Sequence, residues 1–306
     1  FNYLVARAVQ VRLAALGATV YLTRTSDTGV GPCVDVRGRF GERVGVLGCG
    51  TVGSSLIALV QAQRDAVAAR TGLVLEITRV AVRDLGRARA VELPAGVVTT
   101  DAAALVTDPE IDVVVEVIGG IEPARSLVRA ALAEGKPVVT ANKALLAAHG
   151  AELFEAAAAA GVDLLFEAAV AGGIPVVRPL RESLLGEPVQ RVIGIVNGTT
   201  NYILTRMTES GTGYAEALAE AQALGYAEAD PTADVEGLDA AAKIAIVASI
   251  AFGVEVTGSD VSAEGITGIS AADIAFATRH GFVVKLVALA EQVEWPEGLE
   301  VSASVH

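Results

Sequence analysis

The sequence predicts an α/β protein: a parallel-sheet domain followed by an α+β domain with a second sheet. Three observations predict it. Between residues 43 and 170, short apolar runs alternate with stretches of helical apolar spacing, as in repeated β–α units. A Gly-x-Gly-x-x-Gly turn separates the first run from the first helix. Composition then changes near residue 170, where we place the boundary between domains 43–170 and 171–306.

Composition limits the class of protein. The 306 residues are 52% hydrophobic and 4% aromatic, which suits roughly two domains with aliphatic cores. A formal net charge of −13 argues against nucleic acid and anionic membrane surfaces as partners. The two cysteines, Cys33 and Cys49, are too few for a disulfide framework and favour the cytoplasm. No apolar run reaches the ~20 residues that a membrane-spanning helix needs.

Residues 1–42 stand apart from the rest of the chain. They predict a helix, a strand and a glycine-rich loop. The pattern from Asn2 to Asp27 resembles the N-acetylmuramoyl-L-alanine amidase family, zinc enzymes that act on cell-wall peptides. A zinc site needs His and acidic ligands, and the three histidines of the chain lie elsewhere, at His149, His280 and His306. We therefore expect a fragment without catalytic capacity, joined to a different protein.

The glycine turn is the first candidate site. Residues 43–47 form a short apolar run, the glycines follow, and an apolar helix is predicted from Ser54 to Ala68. Strand, glycines and helix in this order are the dinucleotide-binding fingerprint of a Rossmann-type domain. Such glycines let a pyrophosphate approach the backbone N–H groups at the helix start. The predicted cofactor-binding residues are Gly48, Gly50, Thr51, Val52 and Gly53. The alternative is a glycine-rich turn without a ligand.

The second predicted strand, Val74–Val82, bears on the choice of cofactor. In a Rossmann-type domain the residue after this strand meets the adenosine ribose, where an acid favours NAD and an arginine favours NADP. Arg83 comes first and Asp84 follows, with two more arginines close behind. This order favours NADP and leaves NAD open. A solvated loop is the interpretation without a ligand.

Three later strand ends carry candidate residues. An apolar strand from 112 to 118 ends in Gly119, at the sheet edge where open α/β folds bind ligands. Lys143 follows the strand Pro137–Thr140 and is a candidate cofactor or substrate contact, or otherwise an exposed lysine. Glu167 follows a sixth strand, Gly161–Phe166. Its loop offers oxygen ligands suited to a hard cation, although on the residues alone we prefer a hinge.

The second domain is predicted to mix strands and helices around its own sheet. Its predicted strands are Val189–Val196, Phe282–Val293 and Leu299–Val305. Its predicted helices follow residue 201 and span Tyr214–Leu224, Leu238–Ala251 and Ser270–His280. Thr199, Thr200 and Asn201 are expected to cap the first of these helices.

The most polar stretch of this domain runs from Gly225 to Lys243 and holds five acids and one lysine. Pro231 interrupts any helix there, and the next helix is predicted to begin after Gly237. Asp239 and Lys243 are four residues apart, so they share one helix face, and Glu228 lies in the loop before it. This arrangement indicates a substrate site. The alternative is a capped surface helix with one ion pair.

From about Arg43 to the C-terminus, these motifs in this order closely resemble the homoserine dehydrogenase family. The motifs are Gly48-x-Gly50-x-x-Gly53, Gly119-Gly120, Thr140-Ala-Asn-Lys143, Glu167-Ala-Ala-Val170-Ala-Gly-Gly, Asn197-Gly-Thr-Thr-Asn201 and Gly225 to Lys243. The resemblance implies NAD(P)H-dependent, reversible reduction of L-aspartate 4-semialdehyde to L-homoserine. This reaction lies on the route to threonine, methionine and isoleucine.

The resemblance also implies residue roles. Lys243 would be the catalytic acid/base or its electrostatic equivalent, Asp239 and Glu228 would hold polar groups of the substrate, and Lys143 would lie between nicotinamide and substrate. Gly119 joins the cofactor-binding set. A sodium-type ion would bind at the loop of Glu167, Val170, Gly172 and Ile174. The second sheet would form a homodimer.

The sequence departs from the family at both ends. The amidase-like segment precedes the first strand, and the chain stops at His306, where the family continues with residues that complete the substrate domain. A regulatory ACT domain often follows in the family. These departures leave a second hypothesis open: a truncated or fused homologue that binds NADP without turnover.

Overall fold

The computed structural model describes residues 40–295 and 298–306, so the helix and strand predicted before residue 40 lie outside it. The described chain divides into two compact units. The first unit contains the described residues up to Leu145 together with Ala151–Ala168, and the second contains Leu146–Gly150 and Ala169–His306. Across both described ranges, no helix has the length and hydropathy needed to cross a bilayer.

The first unit is a parallel six-stranded sheet with intervening helices, which confirms the predicted fold class. Its strands are β1 (Phe40–Leu47), β2 (Leu73–Ala81), β3 (Val98–Thr99), β4 (Val113–Glu116), β5 (Val138–Thr140) and β6 (Leu164–Leu165). Its helices are α1 (Thr51–Thr71), α2 (Ala102–Thr107), α3 (Ala124–Ala133) and α4 (Lys143–Ala160), of which residues 146–150 belong to the second unit.

The strand order of this sheet is β3–β2–β1–β4–β5–β6, and every pairing is parallel. The order reverses between β1 and β4. This pair therefore marks the switch point, at whose carboxyl edge open α/β sheets bind ligands. Valine-rich strands buried on both faces form the sheet, and residues of α1 such as Ile57 and Val60 pack against Val44, Val46 and Val80.

The second unit contains the second sheet. Its elements are β7 (Arg191–Gly194), α5 (Gly198–Ser210), α6 (Tyr214–Ala223), α7 (Thr232–Val235), α8 (Leu238–Phe252), β8 (Ser262–Ala263), α9 (Ala271–Arg279), β9 (Ala288–Trp295) and β10 (Gly298–Val305). The sheet order is β7–β9–β10–β8, with β9 antiparallel to both its neighbours and β8 parallel to β10. The apolar helix α8 packs against β9 and β10 and supplies much of the core.

The strand predicted over Phe282–Val293 begins only at Ala288. The backbone of Leu286 is bound by a side chain instead of a neighbouring strand: its N–H donates to Asn201 Oδ1 at 3.1 Å, and its carbonyl accepts from Asn201 Nδ2 at 3.2 Å. The apolar residues predicted a strand here. Hydropathy could not show that the backbone groups of Leu286 are bound by a side chain far away in the sequence.

The sixth strand is also shorter than predicted, because the end of α4 uses its first residues. Gly161 adopts φ +67° and closes the helix, and the N–H of Val162 donates to Ala157 O at 3.0 Å. Only Leu164 and Leu165 pair with β5.

Candidate active site

The glycine turn between β1 and α1 is shaped by two close backbone approaches. A Cβ on Gly53 would lie 2.2 Å from Gly48 O, and one on Gly48 would lie 2.8 Å from Val117 O. Gly48 also has φ +104°, which a side chain rarely tolerates. Gly50 differs, because a Cβ there would have no protein atom within 4 Å. Two glycines thus serve protein packing, and the third leaves open space at the position where a Rossmann-type turn approaches a pyrophosphate.

The start of α1 suits an anion. Gly50 is the N-cap residue without a side-chain cap, and the first turn contains no acid. The first backbone N–H groups of a helix have no intrahelical partner, and the helix dipole places partial positive charge there. Thr51 and Val52 lie exposed in this turn, as a phosphate-contacting segment requires.

The charged residues of the loop after β2 make different contacts. The Asp84 carboxylate accepts from Gly86 N at 2.8 Å, which closes a local turn. The Arg89 guanidinium donates to the carbonyls of Asp84 at 2.5 Å and Leu85 at 3.3 Å. Asp84 and Arg89 therefore build the loop. Arg83 is exposed two residues past β2, in the region where a Rossmann-type domain meets the adenosine ribose.

Sequence reasoning missed Glu116, the fully buried last residue of β4. Its Oε1 accepts from the N–H groups of Ile118 at 2.8 Å and Gly119 at 3.3 Å. Its Oε2 accepts from Thr140 Oγ1 at 2.6 Å. The available signal was one glutamate within an otherwise apolar strand, since a buried carboxylate needs hydrogen-bond donors.

Lys143 is the first residue of α4, and Asn142 before it fixes the start of that helix. Asn142 Oδ1 accepts from Leu145 N at 3.1 Å, while its Nδ2 donates to Gly120 O at 2.6 Å and reaches Glu116 Oε1 at 3.5 Å. The predicted residue Gly119 therefore lies on a loop that is hydrogen-bonded to the residue just before Lys143.

In the second unit the structure brings Lys243 and Asp239 together. Lys243 Nζ lies 2.6 Å from Asp239 Oδ2 and donates to Val196 O at 2.7 Å. The side chains of Lys243 and Asp239 are 18% and 4% exposed, so the lysine side chain is partly exposed while the carboxylate is buried. Gly237, at φ +79°, begins α8 and sets the register that places both residues on one face. An ammonium held this way can donate a proton or place positive charge beside a reacting oxygen.

Asn197 holds the acid of this pair, and sequence reasoning missed that role. Its Nδ2 donates to Asp239 Oδ2 at 2.9 Å and to Asp234 Oδ1 at 2.6 Å. Its Oδ1 accepts from Thr200 N at 2.9 Å and so caps α5. The predicted capping by Thr199, Thr200 and Asn201 was wrong, because residue 197 has the extended conformation of an N-cap residue.

Replacing Asn197 by leucine is expected to lower the free energy of unfolding by about 1 to 3 kcal/mol, because Asp239 and Asp234 each lose a donor and α5 loses its cap. Urea unfolding measures this. Asn201→Leu is not a neutral control, since that residue binds Leu286, whereas Thr208→Ala removes only one hydroxyl bond from a half-buried residue of the same helix. Equal stability of N197L and the parent protein would contradict the prediction.

Glu228 is exposed in the loop between α6 and α7 and is not part of the Lys243–Asp239 contact. Gln222 Nε2 donates to its carbonyl at 3.0 Å and so holds the loop. Two residues on, hydrogen bonds from Thr232 Oγ1 at 2.6 Å and Thr232 N at 3.1 Å lower the pKa of Asp230. Asp230 thus folds the loop as an ionised turn residue, which leaves Glu228 as the solvent-facing carboxylate.

The loop predicted to bind a cation falls on the division between the units: Glu167 belongs to the first, and Val170, Gly172 and Ile174 to the second. Within the second unit, Ala171 has φ +52° and Gly173 has φ +82°, and Ile174 N donates to Ala171 O at 2.9 Å. Residues 40–295 and 298–306 contain no cluster of three or more His, Cys, Asp or Glu side chains able to hold a metal.

Comparison with known proteins places both units in one family. The family model described as "Homoserine dehydrogenase, NAD binding domain" matches residues 48–167, and the model "Homoserine dehydrogenase" matches residues 175–306. A homoserine dehydrogenase from Synechocystis sp. is 54% identical over 266 residues, which are 86% of this chain. The chain spans 60% of the length of that relative.

Solved structures agree. A homoserine dehydrogenase from Thiobacillus denitrificans matches with a TM-score of 0.81 and 45% identity, covering 87% of this chain and 61% of that one. A proposed homoserine dehydrogenase from Archaeoglobus fulgidus matches with a TM-score of 0.73 and 33% identity, covering 87% and 84%. A hyperthermophilic archaeal homoserine dehydrogenase in complex with NADPH matches with a TM-score of 0.70 and 26% identity, covering 87% and 81%.

Proposed function

We propose, since this chain belongs to the homoserine dehydrogenase family, that the whole protein reversibly reduces L-aspartate 4-semialdehyde to L-homoserine with a nicotinamide nucleotide. The observation that carries the proposal is the Lys243 ammonium, held between Asp239 and the Val196 carbonyl in a side chain that is 18% exposed. The product would enter the synthesis of threonine, methionine and isoleucine.

The roles of the residues follow from the charge that develops during the reaction. A bound reduced nicotinamide supplies a hydride to the aldehyde carbon. Lys243 donates a proton, or lends its positive charge, to the carbonyl oxygen as it becomes an alkoxide. Asp239 orients the ammonium. Glu228 is suited to the α-ammonium group of the substrate, and Lys143 is proposed to contact nicotinamide and substrate.

The experiment that tests this activity follows the loss of NADPH absorbance in the intact protein as L-aspartate 4-semialdehyde is added. Turnover that needs both compounds supports the proposal. Saturable NADPH binding without turnover would overturn it and support the other hypothesis, a homologue that binds NADP without reaction.

We propose NADP as the preferred cofactor, with NAD as the weaker one, on the position of Arg83. Arg83→Ala is expected to raise the dissociation constant for NADPH by about tenfold and to leave that for NADH unchanged, because only NADPH carries the 2′-phosphate. Fluorescence titration measures both constants. Arg70→Ala, which removes the same charge from the last turn of α1, is the control. An equal loss for both nucleotides would contradict this role.

We propose that the loop of Glu167, Val170, Gly172 and Ile174 binds a sodium-type ion. The support is chemical: a carboxylate and consecutive backbone carbonyls are oxygen ligands that hard cations take. Replacing sodium by tetramethylammonium, which is too large for such a loop, is expected to lower turnover. Unchanged activity at matched ionic strength would exclude a required cation.

We propose a cytoplasmic homodimer that forms through the second sheet. Ile193 of β7 and Ile195 just after it are 65% and 55% exposed, so the first strand of that sheet carries apolar side chains on its surface. Ile193→Asp is expected to convert the dimer to a monomer in sedimentation equilibrium.

A further inference from the structure

Glu116 occupies the switch point of the first sheet. It pairs with Leu47, the last residue of β1, and with Thr140, the last residue of β5. The loop after β1 is the glycine turn, and the loop after β5 leads to Lys143. Glu116 is therefore a buried side chain at the edge of the sheet where the two candidate cofactor loops leave β1 and β5, the strands on either side of β4.

The hydrogen bonds of Glu116 divide between two loops. The N–H groups of Ile118 and Gly119 come from the loop after β4 and bind Oε1. The Thr140 hydroxyl, which also accepts from Asn142 N at 3.0 Å, comes from the start of the loop after β5 and binds Oε2. Asn142 closes the arrangement, because it bonds to Gly120 O and to Oε1.

Fold stability alone does not explain why the Glu116 carboxylate is buried. A buried carboxylate is destabilising unless hydrogen bonds replace its hydration, and all four of these bonds come from neutral donors. An apolar residue at the end of β4 would fill the same core at lower cost. An apolar residue, however, has no oxygen atoms that could accept hydrogen bonds from the loops after β4 and β5 at the same time.

We infer that Glu116 is a positioning residue, which holds the loops 118–120 and 140–143 at a fixed separation so that Lys143 and Gly119 meet the nicotinamide end of the cofactor. The inference rests on the proposed function for the identity of the cofactor. The glycine turn and Arg83, which serve the pyrophosphate and the adenosine ribose, do not contact Glu116 through any of these bonds.

The experiment compares Glu116→Gln with Glu42→Gln in the intact protein. Glu42 is also a buried glutamate of this sheet, but it lies near the amino end of β1. In E116Q one amide oxygen can still accept from Ile118 and Gly119, while the NH2 group cannot accept from Thr140. Thr140→Val is a second variant that removes the other partner of the same bond and leaves the carboxylate in place.

Two readouts are measured: amide hydrogen exchange of residues 118–120 and of Leu145, and affinity for NADPH and for adenosine 2′,5′-bisphosphate. We expect E116Q and T140V to speed exchange at these amides and to weaken NADPH binding by about tenfold. Affinity for adenosine 2′,5′-bisphosphate, which lacks the nicotinamide half, is expected to change less than about twofold. E42Q is expected to resemble the parent protein in every measurement.

Equal losses of affinity for both ligands would overturn the inference, because they would show a general loss of fold. Unchanged exchange at residues 118–120 and Leu145 in both variants would also overturn it. The exchange measurement needs no activity, so loop loosening in E116Q together with no reduction of the semialdehyde by the parent protein would refute the proposed function and leave the positioning role standing.

Discussion

Replacing Lys243 by alanine is expected to lower kcat by about a thousand-fold while changing NADPH affinity little. In the proposed role the lysine supplies the proton or the positive charge that the developing alkoxide needs, and it lies in the second unit, whereas the glycine turn lies in the first. Steady-state reduction of L-aspartate 4-semialdehyde and fluorescence titration of NADPH measure the two quantities separately.

Lys243→Arg is the informative control for this experiment. Arginine keeps the charge but does not release a proton near neutral pH. Activity retained in K243R and lost in K243A would assign an electrostatic role, and activity lost in both would assign proton transfer. If K243A lost cofactor affinity and turnover by the same factor, the catalytic role would be wrong.

Replacing Gly53 by alanine is expected to destabilise the first unit by about 1 to 3 kcal/mol and to abolish measurable NADPH binding. The added methyl group would lie 2.2 Å from Gly48 O, so the helix start must move away from β1. That movement takes the N–H groups of the first turn out of position. Thermal unfolding without ligand and fluorescence titration with NADPH measure the two losses.

Gly50→Ala separates folding from binding at the same turn. Its Cβ would meet no protein atom within 4 Å, so the unfolding temperature without ligand is expected to match that of the parent protein. NADPH affinity is expected to fall by about tenfold, because the methyl group enters space that the pyrophosphate takes. Unchanged affinity in G50A would place the pyrophosphate elsewhere.

The parts of the site that the sequence predicted are local in the chain. The glycine turn spans six residues between a strand and a helix, and Lys243 and Asp239 are one helical turn apart. Helical geometry and backbone sterics are enough to derive such contacts. The fold class followed in the same way, from alternating strand and helix patterns.

The parts that sequence reasoning missed depend on partners far apart in the chain. Glu116 meets Thr140 across 24 residues, and Asn197 meets Asp239 across 42. The apolar periodicity of the sequence does not indicate these hydrogen bonds, because the two partners come together only after the chain has folded. For the same reason the strand was predicted to begin too early, at Phe282 and not at Ala288. Asn201 binds Leu286 across 85 residues of sequence.

Asn197 links the start of α5 to the acid beside Lys243. The same side-chain amide that caps α5 also donates to Asp239, so the cap and the hydrogen bond to the acid beside Lys243 depend on one residue. A molecule in which this turn has frayed is then expected to lose the hydrogen bond from Asn197 to Asp239 as well. Hydrogen exchange at the Thr200 amide, which donates to Asn197, is then expected to measure without substrate how often this arrangement opens.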